Sequence, residues 1–350
     1  MVQVMAQADS VSASAQGLDA VINLFADAQQ YLFEQAVEPL TFALGLGQLL
    51  EDAYAATGWL LVGLLQLVVL LVVIGPLQRW RPVEPVTDRA TVRTDVIYTL
   101  IHRLGLVRLV FFFTLTPLLD DLFGWGRVLG LSTLHLDDLW PGVTDVAWVS
   151  FVMYLVVFDF IDYWMHRAQH QWHWWWQLHA LHHAQRQMTM WSDNRNHLLD
   201  DLLRDLVWAV VAQLLGVPPA QFVAMVAITQ LFESLQHANL RLWFGPIGER
   251  LWVSPRFHGL HHTIGIGHET PTVSVGAMSA AGPTQGAKTV LGGHNFGVLL
   301  PWWDVLFGTA NFEQRYDPTG VRDQVEQGRD YGRGFWSQQW LGVLRLMGRA

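Results

Sequence analysis

The 350-residue chain contains no cysteine and only one lysine, Lys288, among its 21 Lys and Arg residues. Without cysteine there are no disulfides, thiolate zinc sites or iron–sulfur clusters, so any bound transition metal must rely on His, Asp or Glu. Charge is scarce too: DEKR residues make up 15% of the chain, well below the roughly 25% usual for soluble domains. With a formal net charge of −9 and no dense basic stretch, nothing grips a phosphate backbone, and nucleic acid is not an expected partner. The first 78 residues hold no Lys or Arg, so the basic region of a secretory signal is missing and no cleaved targeting peptide is expected. There is no internal repeat and no low-complexity tract.

What is present points to a bilayer. Apolar residues reach 51%, mean hydropathy is +0.24, and 18 Trp accompany 18 Phe and 7 Tyr, rings that settle at headgroup depth. The uncharged run from Gly58 to Leu77 is long enough for the ~30 Å hydrocarbon core. Arg79, Arg81, Arg89 and Arg93 follow it, which places that loop in the cytoplasm by the positive-inside rule. A second apolar run, Val96 to Leu119, carries Arg103 and Arg108, which must face protein, water or headgroups. A third, Thr144 to Trp164, returns the chain to the cytoplasm. The stretch 206–235, broken by Gly216, Pro218 and Pro219, suits a helical hairpin that enters and leaves on one side.

The expected fold is therefore all-α, an integral membrane helical bundle of about four spanning elements, hairpin included, under a cytoplasmic His-rich helical cap holding a di-metal site. Its expected divisions are 1–53, an amphipathic or interfacial region; 54–165, transmembrane helices; 166–312, the catalytic region with the hairpin; and 313–350, an amphipathic tail lying on the membrane surface. The expected location is a bacterial inner membrane, with the active site on the cytoplasmic face.

Fifteen histidines occur, and eight fall into three groups: His166 and His170 in HRAQH; His179, His182 and His183 in HALHH; His258, His261 and His262 in HGLHH. On a helix, positions i, i+3 and i+4 share a face, so each group aims its rings into one volume. A lone HxxxH arises often by chance, as a satisfied core or surface pair. Three groups on one predicted membrane face are different, because burying eight imidazoles without partners strands many polar nitrogens at roughly 1 to 3 kcal/mol each. Eight neutral nitrogen donors exceed what one metal uses and suit a pair.

The segments DFIDYWMHRAQH, WQLHALHH, SPRFHGLHH and HNFGVLLPWWDVLFGT, in that order and with similar spacings, resemble the fatty acid hydroxylase and sterol desaturase superfamily over roughly Thr144 to Thr309. The resemblance implies a membrane enzyme with two iron ions ligated by histidine, using O2 and two electrons to hydroxylate a lipid C–H bond, or alternatively to desaturate it. It implies that His166, His170, His179, His182, His183, His258, His261 and His262 are ligands. His237 stands where the family usually places another metal histidine. His197 matches a position that serves as ligand or supports one. Glu233, one turn before His237, can orient it, bind a water or merely pack. Asp162, one turn before His166, is the expected partner fixing that ring's tautomer.

Other polar residues carry weaker expectations. His268 and His294 either line the site or face solvent, His173 is interfacial, and His102 and His135 are structural. Asp193, Asp200, Asp201 and Asp304 are expected to form ordinary ion pairs with Arg167, Arg186, Arg195 or Arg204. No fused electron-transfer module is visible, so an external donor such as a ferredoxin with its reductase is needed. The competing class is a His-rich zinc membrane hydrolase or metal transporter; HExxH is absent, and a transporter places its ligands at mid-membrane.

Overall fold

The computed structural model describes residue 20, residues 22–266 and 293–350, and within 267–292 the backbone of four short strands. Those strands pair antiparallel, Val273–Val275 with Lys288–Val290 and Met278–Ser279 with Gly282–Pro283. Helices otherwise make up the secondary structure of the described residues, as expected. Among the described residues, two helical stretches are long and apolar enough to cross a bilayer: Gly47–Trp80, 34 residues with an 18-residue window of mean hydropathy 2.8, and Ala147–Gln171, 25 residues with a window of 1.4. At about 1.5 Å per residue, either exceeds the hydrocarbon thickness of about 30 Å.

The chain divides into two compact units, residues 1–65 and 66–350. In the first, residues 22–32 are helical and lead into Phe33–Val37 and Glu38–Ala43. Gln29 donates to the Tyr54 carbonyl at 2.9 Å, and Phe33 meets the Tyr54 ring edge-on at 5.2 Å.

The second unit carries every histidine group. Its main helices are α1 (Arg89–Arg103), α2 (Leu106–Val128), α3 (Ala147–Gln171), α4 (His173–His183), α5 (Leu198–Leu215), α6 (Pro219–His237), α7 (Pro255–His261) and α8 (Phe335–Leu346). Local sequence sets their ends. Asp88 caps α1 by accepting from Thr91 N at 3.0 Å, and Ser254 caps α7 by accepting from Phe257 N at 3.1 Å, with Pro255 at the first helical position. Between α5 and α6, Gly216 adopts φ 56° and ψ 39°, and a Cβ there would run into the His135 ring. Only glycine meets both demands, and Pro218 and Pro219 then restart the chain as α6.

An apolar core of Tyr154, Phe158, Met225, Leu299 and Leu300 joins α3 and α6 to the 293–301 segment. The second apolar run of the sequence is split between α1 and α2, with Gly105 at φ 77° between them. Arg103 is buried at the end of α1, as a charge inside an apolar run demands. It donates to Gln66 Oε1 (3.1 Å), Gln230 Oε1 (2.7 Å), Ser234 Oγ (2.8 Å) and Asp193 Oδ2 (3.0 Å). A buried guanidinium is tolerable only when paired and hydrogen-bonded in this way.

The tail differs from the expectation of a purely surface helix. Trp336 and Trp340 of α8 are exposed, but Gln338, Gln339, Gly342 and Arg345 are buried. Arg345 donates to the Gln177 carbonyl of α4 at 3.2 Å and lies 4.4 Å from the centre of the Tyr331 ring. One face of α8 is thus packed onto the helix that carries the second histidine box.

Candidate metal centre

Helix α3 delivers His166 and His170 from its last turns, α4 delivers His179, His182 and His183, α6 ends on His237, and α7 with its C-terminal cap supplies His258, His261 and His262. These nine rings are between 0% and 8% exposed. Eight of them sort into two groups, His166, His170, His183 and His261, and His182, His237, His258 and His262, each with ligand atoms within 4.8 Å of one another. The groups adjoin: His183 of the first stacks on His262 of the second with ring centres 4.3 Å apart.

In the second group the Nε2 atoms lie 3.1 Å (His182–His237), 3.0 Å (His237–His258) and 3.0 Å (His258–His262) apart. Nitrogens bonded to one metal at about 2.0–2.1 Å are about 2.8–3.4 Å apart for angles between a right angle and tetrahedral. Hydrogen bonding alone does not account for this packing. His237 spends its Nδ1–H on the Glu233 carbonyl at 2.7 Å, which leaves its Nε2 bare. A neutral ring has one N–H, so the Nε2–H of His258 cannot serve both His237 and His262. Meanwhile Nδ1 of His182, His258 and His262 finds no partner among the described residues. A cation at the centre relieves the facing lone pairs, so the donor set fits a metal.

The first group is held from behind by backbone. His166 Nδ1 donates to the Phe296 carbonyl at 2.9 Å, and His261 Nδ1 to the His294 carbonyl at 2.7 Å, leaving both Nε2 atoms for the shared volume. Two buried carboxylates fix the segment that supplies these carbonyls. Asp304 accepts from Phe296 N (2.9 Å), Gly297 N (2.7 Å) and Thr309 Oγ1 (2.6 Å). Asp159 accepts from Leu299 N (2.7 Å), Leu300 N (3.2 Å) and Trp303 Nε1 (2.9 Å). The HNFGVLLPWWDVLFGT motif thus acts through its carbonyls.

Burial, and then the neighbouring imidazoles, push His182, His183, His258 and His262 well below the ordinary 6.5. His261 is pushed down the same way, against a partial lift from its bond to His294. These rings are neutral near pH 7, the form that binds metal.

Several expected roles fall out differently. His237 is a full member of the second group, whereas His179 belongs to neither. The His179 ring centre is 5.1–5.3 Å from those of His166, His170, His182 and His183, and its Nδ1 bonds Asp200 at 3.0 Å. Burial would raise the Asp200 carboxyl, but hydrogen bonds from His179 and Gln169 and the charge of Arg204 hold it below its usual range. His197 lies outside both groups because its two nitrogens are engaged by backbone: Nε2 with the Gln339 carbonyl at 2.8 Å, Nδ1 with Leu199 N at 3.2 Å. The ring also sits where a Cβ on Gly342 would be, so it serves as packing under α8.

Asp162 does not hold His166. It accepts from Trp208 Nε1 at 2.6 Å, and Phe296 orients the ring instead. Glu233 orients His237 through its carbonyl, while its carboxylate lies 3.4 Å from Arg204. His294 contributes its carbonyl, and burial followed by the charge of Arg315 pushes its ring down to about 4. His268 lies outside the described residues.

The expected Asp–Arg pairs are replaced by others. Asp193 pairs with Arg103, Asp200 with His179, and Arg195 with Asp95, while His102 approaches Asp201 at 3.4 Å. Asp304 spends its oxygens on backbone and Thr309.

Beside the second group lies a partly enclosed cavity of about 30 Å³, reached by His182, His237 and His258 of that group, by His166 of the first, and by His179.

This geometry defines a class: a helical protein with two adjacent all-histidine groups, each able to hold a metal ion. Residues 151–309 match the family model described as fatty acid hydroxylase. Among curated relatives, the chain is 28% identical over 193 residues to an ornithine lipid hydroxylase of Rhizobium tropici, covering 55% of this chain and 50% of the relative. It is 24% identical over 184 residues to an alkylglycerol monooxygenase of Caenorhabditis elegans, covering 52% and 31%. To a fatty acid hydroxylase of a Lecanicillium species it is 23% identical over 192 residues, covering 50% and 46%. The matches thus span half or less of each relative's length. No solved structure gives a significant match.

Proposed function

We propose that this chain is a membrane-embedded di-iron oxygenase that hydroxylates a C–H bond of a lipid. The observation that carries the reading is the pair of buried four-histidine groups lying side by side, eight imidazole donors with His183 of one group stacked on His262 of the other. The names of the relatives support it, since each is a hydroxylase or monooxygenase. Two iron ions held there would use O2 and two electrons to turn R–H into R–OH, the second oxygen atom leaving as water after taking up two protons. An external one-electron carrier of the ferredoxin type supplies the electrons from the cytoplasmic side.

The residues of the chain bind, orient and insulate that chemistry. His166, His170, His183 and His261 hold one ion, and His182, His237, His258 and His262 the other. His179, anchored by Asp200, stands between them. The Phe296, His294 and Glu233 carbonyls fix ring tautomers, a role that often falls to groups one layer behind the ligands. In the membrane arrangement that suits these elements, Gly47–Trp80, α2 and α3 span, α2 carrying the chain outward and α3 back to the cytoplasmic face, where α5 and α6 form a hairpin. The arginines from Arg79 to Arg93 mark that face.

Metal analysis of the purified protein tests the reading, combined with mass spectrometry of lipid extracts from cells with and without the intact gene. About two irons per chain and a lipid gaining one oxygen from 18O2 are expected. A zinc-only protein, or an unchanged lipid profile, overturns it.

A further inference from the structure

On the oxygenase function proposed above, on which this inference rests, each turnover takes in two electrons. They must reach the iron through protein, because no ring around the small chamber is more than 8% exposed. His179 belongs to neither metal group yet meets both. Its ring centre is 5.1 Å from those of His170 and His183 and 5.3 Å from those of His166 and His182. Behind it, His179 Nδ1 bonds Asp200 Oδ2 at 3.0 Å, and the other oxygen of that carboxylate accepts the indole N–H of Trp175 at 2.6 Å. The buried Trp175 ring stacks on that of Trp174, with centres 5.3 Å apart and planes at 12°, and lies 5.8 Å from that of Trp172. Trp172 and Trp174 are 52% and 45% exposed. They follow the end of α3 that the proposed arrangement puts at the cytoplasmic face.

Tryptophan at headgroup depth accounts for Trp172 and Trp174. It does not account for the next ring inward. A buried indole N–H needs an acceptor, and any carbonyl would serve, but Trp175 uses a carboxylate that also holds a ring touching both metal groups. The result is a continuous line from surface to centre: a stacked pair of indoles, two hydrogen bonds through Asp200, and one ring-to-ring step from His179. Electron tunnelling decays steeply across open gaps and much less along hydrogen bonds. A rival line from exposed Trp164 crosses three gaps, to Tyr163 at 5.6 Å, to Phe296 at 6.3 Å and to His170 at 5.3 Å, and none of these rings is hydrogen-bonded to the next.

We propose that Trp172, Trp174, Trp175, Asp200 and His179 form the entry route by which a one-electron carrier reduces the iron centre. Each event takes one electron from the carrier, which is oxidised, and delivers it to iron, which is reduced. No bond in the relay forms or breaks, and two events supply the two electrons of one hydroxylation.

The absence of cysteine makes the route directly testable, since Trp172→Cys gives the chain a single thiol for a ruthenium polypyridyl photosensitiser. The iron-loaded full chain is oxidised, then kept free of O2 and lipid. A flash in the presence of a sacrificial reductant injects one electron at the label, and the absorption and EPR of the iron report its arrival. Adding Trp175→Phe, which keeps a ring but removes the N–H to Asp200, should slow that arrival many-fold at unchanged iron content. The same label on Trp336→Cys, an exposed position of α8 outside the relay, should also deliver many-fold more slowly than the label at Trp172→Cys. An unchanged rate in Trp175→Phe, or equal rates from the two labels, overturns the relay. If the iron protein oxidises a lipid all the same, the oxygenase reading survives that loss. A Trp175-dependent rate in an iron protein that never oxidises any lipid upholds the relay and sinks the oxygenase reading, whereas a protein that takes up only zinc overturns both.

Discussion

The two histidine groups share α4 and the α7 region, but the first adds two rings from α3 and the second one from α6, and they are restrained differently. In the first, two of four rings are pinned by carbonyls of the 293–301 segment, itself tied down by Asp159 and Asp304. In the second, carbonyl restraint reaches only His237 among the described contacts, and three of the four rings line the chamber. Restraint from a buried backbone suits a group whose job is to stay put. Contact with a cavity suits a group that must leave room for a reactant. On the function proposed above, substrate-facing work would fall to the second group and anchoring to the first.

The largest break comes from removing a ring of the second group. His182→Ala should lower turnover by more than about a hundredfold, beyond the 10–100-fold typical of groups that only support ligands, and deplete the metal. Metal analysis beside a product assay checks this, and unchanged activity would count heavily against the assignment.

Acid should strain both groups at once. For rings whose folded values lie well below 6.5, the unfolded chain binds protons that the folded chain refuses. Stability is therefore intact above about pH 6.5 and falls as pH drops below it, by about 1.4 kcal/mol per ring per unit. Denaturation of chelator-treated protein between pH 7 and 5 measures the slope, and metal should delay the loss to lower pH.

Asp304→Ala separates the groups. It strands Phe296 N, Gly297 N and the Thr309 hydroxyl, costing about 2–5 kcal/mol in total at about 1–3 kcal/mol per buried donor, less what relaxation recovers. Metal should leave the first group before the second, which a titration with a competing chelator resolves as two phases. A single unchanged phase would erase the distinction between the groups.

Asp200→Asn is the mildest change. It preserves an acceptor for Trp175, whose Nε1–H donates to Asp200 Oδ1 at 2.6 Å, and for Gln169, but removes the charge behind His179. If His179 supports the centre, metal affinity drops by about tenfold; no change would show that metal retention does not depend on this ring.

Much of this was legible in the sequence because helical spacing maps directly onto shared faces. The i, i+3, i+4 boxes at His179 and His258 converge as their spacing requires. The sequence reading of α3 and of the α5–α6 hairpin followed from apolar runs and from the Gly216–Pro219 break. What escaped depended on partners remote in the chain. His197 matches a position that serves as ligand or supports one, but Leu199 N meets its Nδ1 and the Gln339 carbonyl of α8, over a hundred residues later, meets its Nε2. Asp162 sits at the right spacing for His166, but Trp208 offers it a donor and the Phe296 carbonyl takes the ring first. Asp200 and Asp193 suit ion pairs with arginines nearby in the chain, and nothing local reveals that His179 and Arg103 reach them.

Orientation by main-chain carbonyls has a consequence for anyone mapping this centre by mutation. Replacing His294 or Phe296 alters a side chain but leaves the oxygen that steers His261 or His166 in place. A survey of substitutions along that loop would therefore report tolerance at the positions where the rings are aimed, and would find its sensitive points instead at Asp159 and Asp304, which never touch a ligand.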